Sequence, residues 1–173
     1  LSTTAIKNPP DVDTTGEAFD LIFGEPSLVS QVINRLTRVR WVQSSWAGVE
    51  PLLATGMRQD YTLTNTRNVY GQAMAEYVFG YLLMIERHML TRWQSQLENR
   101  WDNRLNGTLR GKTIGLLGVG SIGSHLAGVA HDFGMQVWGY TRQSEGCRAV
   151  DRYFHSSSIY EFAAGLDYLV CTL

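Results

Sequence analysis

The chain has 173 residues, with 15 Lys and Arg against 16 Asp and Glu, and its net charge of -1 excludes a nucleic-acid surface driven by bulk electrostatics. Hydrophobic residues at 44% and charged residues at 18% are ordinary for a globular protein that buries a core. The longest strongly apolar run, Tyr77–Ile85, is too short to cross a bilayer, so no membrane is expected among its partners. No basic segment leading into an apolar stretch opens the chain, so no signal peptide is expected within it, although it begins at Leu1 rather than Met. Cys147 and Cys171 have neither zinc-type spacing nor a framework of partners, so no metal is expected. They read as reduced thiols in a cytoplasmic protein.

Residues Leu1–Gly16 are polar, with Pro9-Pro10, and read as a loop. Phe19–Phe23 is a short strand. Pro26–Leu36 suits a helix, with Pro26 in its first turn and Leu28, Val32 and Leu36 on one face. Val39–Gln43 is the next strand, Ser44–Glu50 a loop, Pro51–Ala54 a short helix and Tyr61–Thr64 a third strand. Strands separated by helices imply a parallel α/β sheet.

Gly71–Trp101 reads as one long helix. Its first half, Ala73–Ile85, is apolar nearly all round, which implies burial on several sides. Its second half is polar except for Met89, Trp93, Leu97 and Trp101 at four-residue steps. Such a stripe is more often core than interface, but two tryptophans among Arg and Gln residues point towards a subunit contact. Asn103–Gly107 connects this helix to the glycine-rich half of the chain.

Lys112–Leu117 is an apolar run of the kind a buried parallel strand needs, and it leads directly into Gly118-Val119-Gly120-Ser121-Ile122-Gly123, a G-x-G-x-x-G. Ile122, Leu126, Val129, Ala130 and Phe133 then recur at helical spacing, Gly134 closes the helix, and Met135–Tyr140 is a second strand. In such a unit the first glycine makes the tight turn, the second admits a pyrophosphate to the backbone, and the third lets helix and strand pack closely. The free N–H groups and positive dipole end of the helix face the phosphates. Strand, glycines, helix and second strand all stand where a dinucleotide site requires them. The second strand is followed by Thr141 and Arg142, where a site selective for NAD would carry an Asp or Glu. A guanidinium there suits a 2′-phosphate, so NADP is the expected cofactor with NAD possible as a second choice. Glu145 is near enough in sequence to reach the ribose and oppose that preference.

Val42–Glu50 (VQSSWAGVE), Leu63–Glu76 (LTNTRNVYGQAMAE) and Leu109–Gly123 (LRGKTIGLLGVGSIG), in that order and separation, resemble the D-isomer-specific 2-hydroxyacid dehydrogenase family. The tryptophan of SSWAGV is most similar to its glyoxylate/hydroxypyruvate reductase branch. The resemblance runs from about Phe19 to Leu173. It implies an α/β fold with a partial flavodoxin-like substrate domain over residues 1–70, a long interdomain and dimerisation helix with its connection over 71–108, and a partial Rossmann NAD(P)-binding domain over 109–173. It further implies a homodimer and a small 2-keto or 2-hydroxy acid as substrate. Trp46, Ala47, Gly48 and Val49 match the loop whose backbone N–H groups hold the substrate carboxylate. Gly118, Gly120, Ser121, Ile122 and Gly123 match the pyrophosphate loop, and Thr141 and Arg142 stand where the adenosine ribose is read. Cys171, Thr172 and Leu173 match the end of the third Rossmann strand, with Thr172 and Leu173 beside the adenosine half of the cofactor.

The family's catalytic Arg, Glu and His are expected downstream of that strand, so none of the residues here is assigned as catalytic. His88, His125, His131 and His155 lack the family's context and read as solvated surface histidines. In the sheet order 3-2-1-4-5-6 only strands 1, 2 and 3 are expected, which leaves an unpaired edge on strand 1. The substrate domain also opens without the strand and helix that usually begin it, so a longer polypeptide is expected. The activity implied is NAD(P)-dependent reduction of a glyoxylate-type keto acid. A dinucleotide-binding regulatory module of corepressor type shares the fold and is the alternative. An S-adenosylmethionine-dependent methyltransferase, whose first strand also ends in glycines, fits the spacing through Gly123 and the SSWAGV loop less well.

Overall fold

The computed structural model describes residues 19–173, so the loop expected over Leu1–Gly16 lies outside them. The chain divides into two compact units, one ending at Arg67 and the other comprising Asn68–Leu173. The helical segment set apart in the sequence as residues 71–108 belongs to the second unit.

The first unit holds a parallel sheet of β1 (Leu21–Gly24), β2 (Trp41–Ser44) and β3 (Thr62–Thr64), in that order. Side chains alternate across it, as a strand's period of two requires. Val42 is fully buried among Val29, Val32, Ile33, Leu36, Val39 and Leu52, while Leu21, Phe23 and Trp41 are exposed. The helix expected over Pro26–Leu36 is broken. It consists of α1 (Pro26–Val29) and a separate 3₁₀ turn over Ile33–Arg35. The cause lies in side-chain competition for one carbonyl. Ser27 O, the acceptor the Gln31 N–H would need, is taken by Ser30 Oγ at 3.0 Å and Gln31 Nε2 at 3.1 Å, and the Gln31 N–H turns to Leu28 O at 3.3 Å. Leu28 is consequently exposed, and Val29 and Ile33 enter the core in its place. The short helix α2 (Glu50–Leu53) follows β2.

The second unit begins with α3 (Gly71–Glu86) and α4 (Met89–Leu97), not one helix. The break has an identifiable cause: the returning chain takes Glu86 O, and Arg92 of α4 takes Arg87 O. Gly107 N–H donates to Glu86 O at 2.9 Å, and the Arg92 guanidinium bonds Arg87 O, Asp102 O and Arg104 O. His88 adopts a left-handed φ of 52°. Within the single chain only Ala75, Phe79 and Leu82 of α3 are buried. Met89, Trp93 and Leu97 are exposed, and Trp101, 89% exposed, lies past the end of α4.

Next come β4 (Thr113–Leu117), α5 (Ser121–Asp132), β5 (Gln136–Tyr140), β6 (Arg152–Phe154), α6 (Ile159–Ala164) and β7 (Tyr168–Cys171). The sheet is parallel throughout, in the order β6-β5-β4-β7. This corrects two expectations. The segment ending at Cys171 is the fourth strand of the unit, not the third, because the three-residue β6 stands between. The first strand, β4, is therefore paired on both sides and has no open edge. Three residues, Arg-Tyr-Phe, give too short an apolar run to register as a strand.

α5 covers one face of the sheet and α3 packs against α5; there Ile114, Leu116 and Val137 pack with Leu126, Ala127 and Ala130. On the other face Gly115 leaves room for Phe162 and Leu166. Strand starts are pinned by carboxylates. Asp167 accepts the Thr113 N–H at 2.8 Å and Asp151 the Val137 N–H at 2.7 Å. α5 ends in a Schellman motif, with Gly134 at φ +73° donating to His131 O and Met135 donating to Ala130 O.

Candidate functional site

In a parallel sheet all strands end on one edge, and ligands bind outside those ends where the strand order reverses. Here the reversal lies between β4 and β7, and Gly118 and Thr172 stand at it. Gly118 has φ +98°, which an L side chain rarely adopts. A Cβ on Gly123 would lie 2.4 Å from Gly118 O, so the third glycine is what lets α5 approach the strand. A Cβ on Gly120 would meet nothing within 4 Å, so open space lies over the second glycine. The N–H groups of Ser121, Ile122 and Gly123 precede the first helical bond, Ser124 N–H to Gly120 O, and donate to no described residue. An exposed turn of free donors at the end of a twelve-residue helix, with nothing above its second glycine, fits a pyrophosphate.

Side chains contribute differently from what their positions suggested. Ile122 is half-buried against the core, so only its backbone faces the turn. Thr172 Oγ1 donates to Gly118 O at 2.8 Å and braces the glycine turn from β7, while Leu173 is almost fully exposed beside it. Thr141 is buried, and its hydroxyl donates to Ser144 O at 2.7 Å. That hydroxyl is therefore not available to a ribose phosphate. Arg142 is exposed and has no partner among the described residues.

Sequence reading missed a cluster beside Arg142. His155, expected to be a solvated histidine, sits at the end of β6 with its Nδ1 3.0 Å from Thr141 O and its Nε2 2.8 Å from Glu145 Oε1. Its ring is parallel to Tyr153, with centroids 6.3 Å apart. The Glu145 carboxylate first, and the Thr141 carbonyl second, raise its pKa above the ordinary imidazole value. No sequence signal pairs residues ten positions apart across a loop. Only the parallel pairing of β5 with β6 brings them together. His125 bonds Gln72 through Nε2 at 3.2 Å, and His88 occupies the break between α3 and α4.

The other predicted loop, Trp46-Ala47-Gly48-Val49, lies in the first unit after β2 and leads into α2. Its shape is set by side chains. Ser44, fully buried, donates through Oγ to Trp46 O at 2.8 Å and accepts the Trp46 N–H at 3.0 Å. Asn65 Nδ2 donates to Ala47 O at 2.6 Å, and Thr66 Oγ1 to Ser44 O at 2.9 Å. The N–H groups of Ala47, Gly48 and Val49 donate to no described residue, which leaves them open to a small anion. The Glu50 carboxylate lies against the Cα of Gly48.

Comparison with known proteins adds to this geometry. Residues 79–173, more than half of the chain, match the profile described as D-isomer specific 2-hydroxyacid dehydrogenase, NAD binding domain. A crystal structure of a D-isomer specific 2-hydroxyacid dehydrogenase family protein from Aeromonas salmonicida is 32% identical with a TM-score of 0.89, over 97% of this chain and 54% of that one. A D-3-phosphoglycerate dehydrogenase of Rattus norvegicus is 30% identical over 65% of this chain and 22% of its own length. A glyoxylate/hydroxypyruvate reductase of Arabidopsis thaliana is 26% identical over 88% of this chain and 49% of its own length. The chain thus spans half or less of the length of these curated relatives. Among the described residues no helix is long and apolar enough to cross a membrane.

Proposed function

Because the chain belongs to the D-isomer specific 2-hydroxyacid dehydrogenase family, we propose that the protein containing it reduces a small 2-keto acid, of glyoxylate or hydroxypyruvate type, to a D-2-hydroxy acid with NADPH. The observation that carries the dinucleotide is the glycine turn at the β4/β7 reversal, with its free N–H groups and the open space above Gly120. When bound, the nicotinamide cofactor supplies the hydride. The chain's own residues supply binding and orientation. Ser121, Ile122 and Gly123 present backbone donors to the pyrophosphate, and Thr172 holds Gly118 in the conformation that leaves room for it. The N–H groups of Ala47, Gly48 and Val49 are the donors for the substrate carboxylate, with Trp46 exposed at the start of that loop. The similarity to the Arabidopsis reductase supports the glyoxylate-type substrate.

Arg142, exposed and without a partner among the described residues, supports NADPH over NADH. Its charge-assisted bonds to a 2′-phosphate are worth about 10- to 150-fold in affinity. Measuring kcat/KM for both cofactors with glyoxylate in the full-length protein and its Arg142→Ala variant tests this. NADPH use should fall by about that factor while NADH use stays level. Equal loss with both cofactors, or none, overturns the assignment.

The exposed Met89, Trp93 and Leu97 of α4 support a homodimer. Sedimentation of a Trp93→Ala variant should then show weakened association, by about 2 kcal/mol if this is a hot spot. An unchanged dimer, or a parent protein that is monomeric, removes the reading. The free thiols of Cys147 and Cys171 fit a cytoplasmic setting.

A further inference from the structure

The loop that follows β5 carries Arg142 and Glu145, opposite charges three residues apart, and both are exposed. A 2′-phosphate read at this strand end is attracted by the one and repelled by the other. The geometry around His155 shows how the structure separates them. Nδ1 of His155 faces two acceptors, Thr141 O at 3.0 Å and Thr141 Oγ1 at 3.2 Å, and that hydroxyl already donates its proton to Ser144 O. Nδ1 must therefore carry a proton. Nε2 faces the Glu145 carboxylate at 2.8 Å, which asks for a proton on that nitrogen as well. With both nitrogens protonated the ring is an imidazolium, and its charge neutralises Glu145. A neutral ring would keep its Nδ1–H on Thr141 O and turn a lone pair towards the carboxylate, and the pair would part.

We propose that His155 is a specificity-determining residue of the dinucleotide site, acting through Glu145. Protonated, it holds and neutralises that carboxylate, so Arg142 presents an unopposed positive charge to a 2′-phosphate. Neutral, it releases Glu145, which opposes the phosphate and accepts a hydrogen bond from an unphosphorylated 2′-hydroxyl. Preference for NADPH over NADH consequently falls as pH rises.

The histidine's pKa is raised in the folded protein, so the pair is complete below the ordinary value of 6.5 and is lost as pH rises through the folded value. The titratable groups that face the ring are Glu145 from the loop and Tyr153 from β6, whose own pKa burial raises further from the neutral range. Thr141, from the end of β5, contributes uncharged acceptors only. His155 is thus the group facing this cluster that changes charge near neutrality.

The proposal rests on the dinucleotide reading and is tested by binding, without turnover. Affinities of the full-length protein for NADPH and NADH are measured by titration at about pH 6 and about pH 9, on either side of the imidazole range. In the unmodified protein the NADPH:NADH affinity ratio should fall about 2- to 5-fold between them, the size of one exposed charge–charge interaction. Glu145→Gln should keep the higher ratio at both values, and any fall that remains belongs to the phosphate's own titration. His155→Gln should show the lower ratio at both. The imidazole resonances supply a check independent of nucleotide. The His155 pKa should drop towards the ordinary value in Glu145→Gln. An identical fall in the unmodified protein and Glu145→Gln, or a His155 pKa indifferent to Glu145, overturns the proposal alone. Failure of the unmodified protein to bind either nucleotide overturns the dinucleotide reading and this one with it.

Discussion

Two turns in this chain do the same topological work and are built in opposite ways. Each leaves the C-terminal end of a parallel strand, passes through small residues and enters a helix: Gly118–Gly123 between β4 and α5, and Trp46–Val49 between β2 and α2. The first is fixed by backbone meeting backbone, with a positive φ at Gly118 and Gly123 lying against Gly118 O. It feeds a twelve-residue helix and springs from a strand paired on both sides. The second is tied by side chains, Ser44 from the end of β2 and Asn65 and Thr66 from beyond β3, and leads into four residues of helix. A turn of the first kind depends on Gly118 and Gly123, which no residue with a side chain can replace. A turn of the second kind depends on polar residues that carry no signature in the sequence.

The widest gap this difference predicts is within the first turn itself. Gly123→Ala places a Cβ 2.4 Å from a backbone oxygen that cannot move without unseating Gly118. Overpacking of that kind costs about 1–3 kcal/mol, and nucleotide binding should be lost with it. Gly120→Ala meets nothing within 4 Å and starts from φ -81°, so its stability should match the unmodified protein. Its nucleotide affinity should nevertheless drop, because the added methyl occupies the space reserved for the pyrophosphate. Urea unfolding and NADPH titration of both variants of the full-length protein check this. Equal stability loss at the two positions, or unimpaired binding by Gly120→Ala, breaks the argument that one glycine serves packing and the other a ligand.

The same contrast explains what was legible in the sequence. The glycine turn, the α5 helix, its Gly134 cap and the flanking strands follow from local rules of periodicity and backbone freedom, and the structure agrees with all of them. What sequence missed was set by contacts between residues distant in the chain. The break between α3 and α4 depends on the returning chain, where Gly107 N–H takes Glu86 O and the carbonyls of Asp102 and Arg104 accept from Arg92. β6 is a strand because β5 offers it a partner, not because Arg-Tyr-Phe favours one. Overlooking it misnumbered the strand that ends at Cys171 and hid the β4/β7 reversal. In the site, Arg142 and the glycines were placed by position, whereas the engagement of Thr141 with Ser144 and of Glu145 with His155 needed the fold. The helix expected over Pro26–Leu36 is a smaller case, since capture of Ser27 O by the side chains of Ser30 and Gln31 outweighs a helical pattern.

The smallest effects belong to the second turn, and there the order of importance should invert. Gly48 looks like the residue the loop cannot spare, yet a Cβ on it would meet only the Glu50 carboxylate, with Oε2 at 2.8 Å. That atom is the far end of an exposed, flexible side chain, which swings aside at little cost. Gly48→Ala should therefore change stability by no more than about 0.5 kcal/mol, and the reduced freedom of the unfolded chain offsets part of any loss. Ser44 carries the turn instead. Its hydroxyl is buried, donates to Trp46 O and accepts the Trp46 N–H, so Ser44→Ala strips a partner from two backbone groups at once. Thr66 N–H also reaches Trp46 O, at 3.3 Å, so the carbonyl keeps one donor and the N–H is the group left bare. The expected cost is about 0.5–1.5 kcal/mol, the net contribution of a hydrogen bond at this half-exposed site. Urea unfolding followed by the fluorescence of Trp41 and Trp46, in a background with Trp93, Trp101 and Trp138 of the second unit replaced by Phe, reports on this unit. If Gly48→Ala proves the costlier of the two, the loop's shape is written in its backbone, as in the glycine turn, and the distinction between the two turns falls.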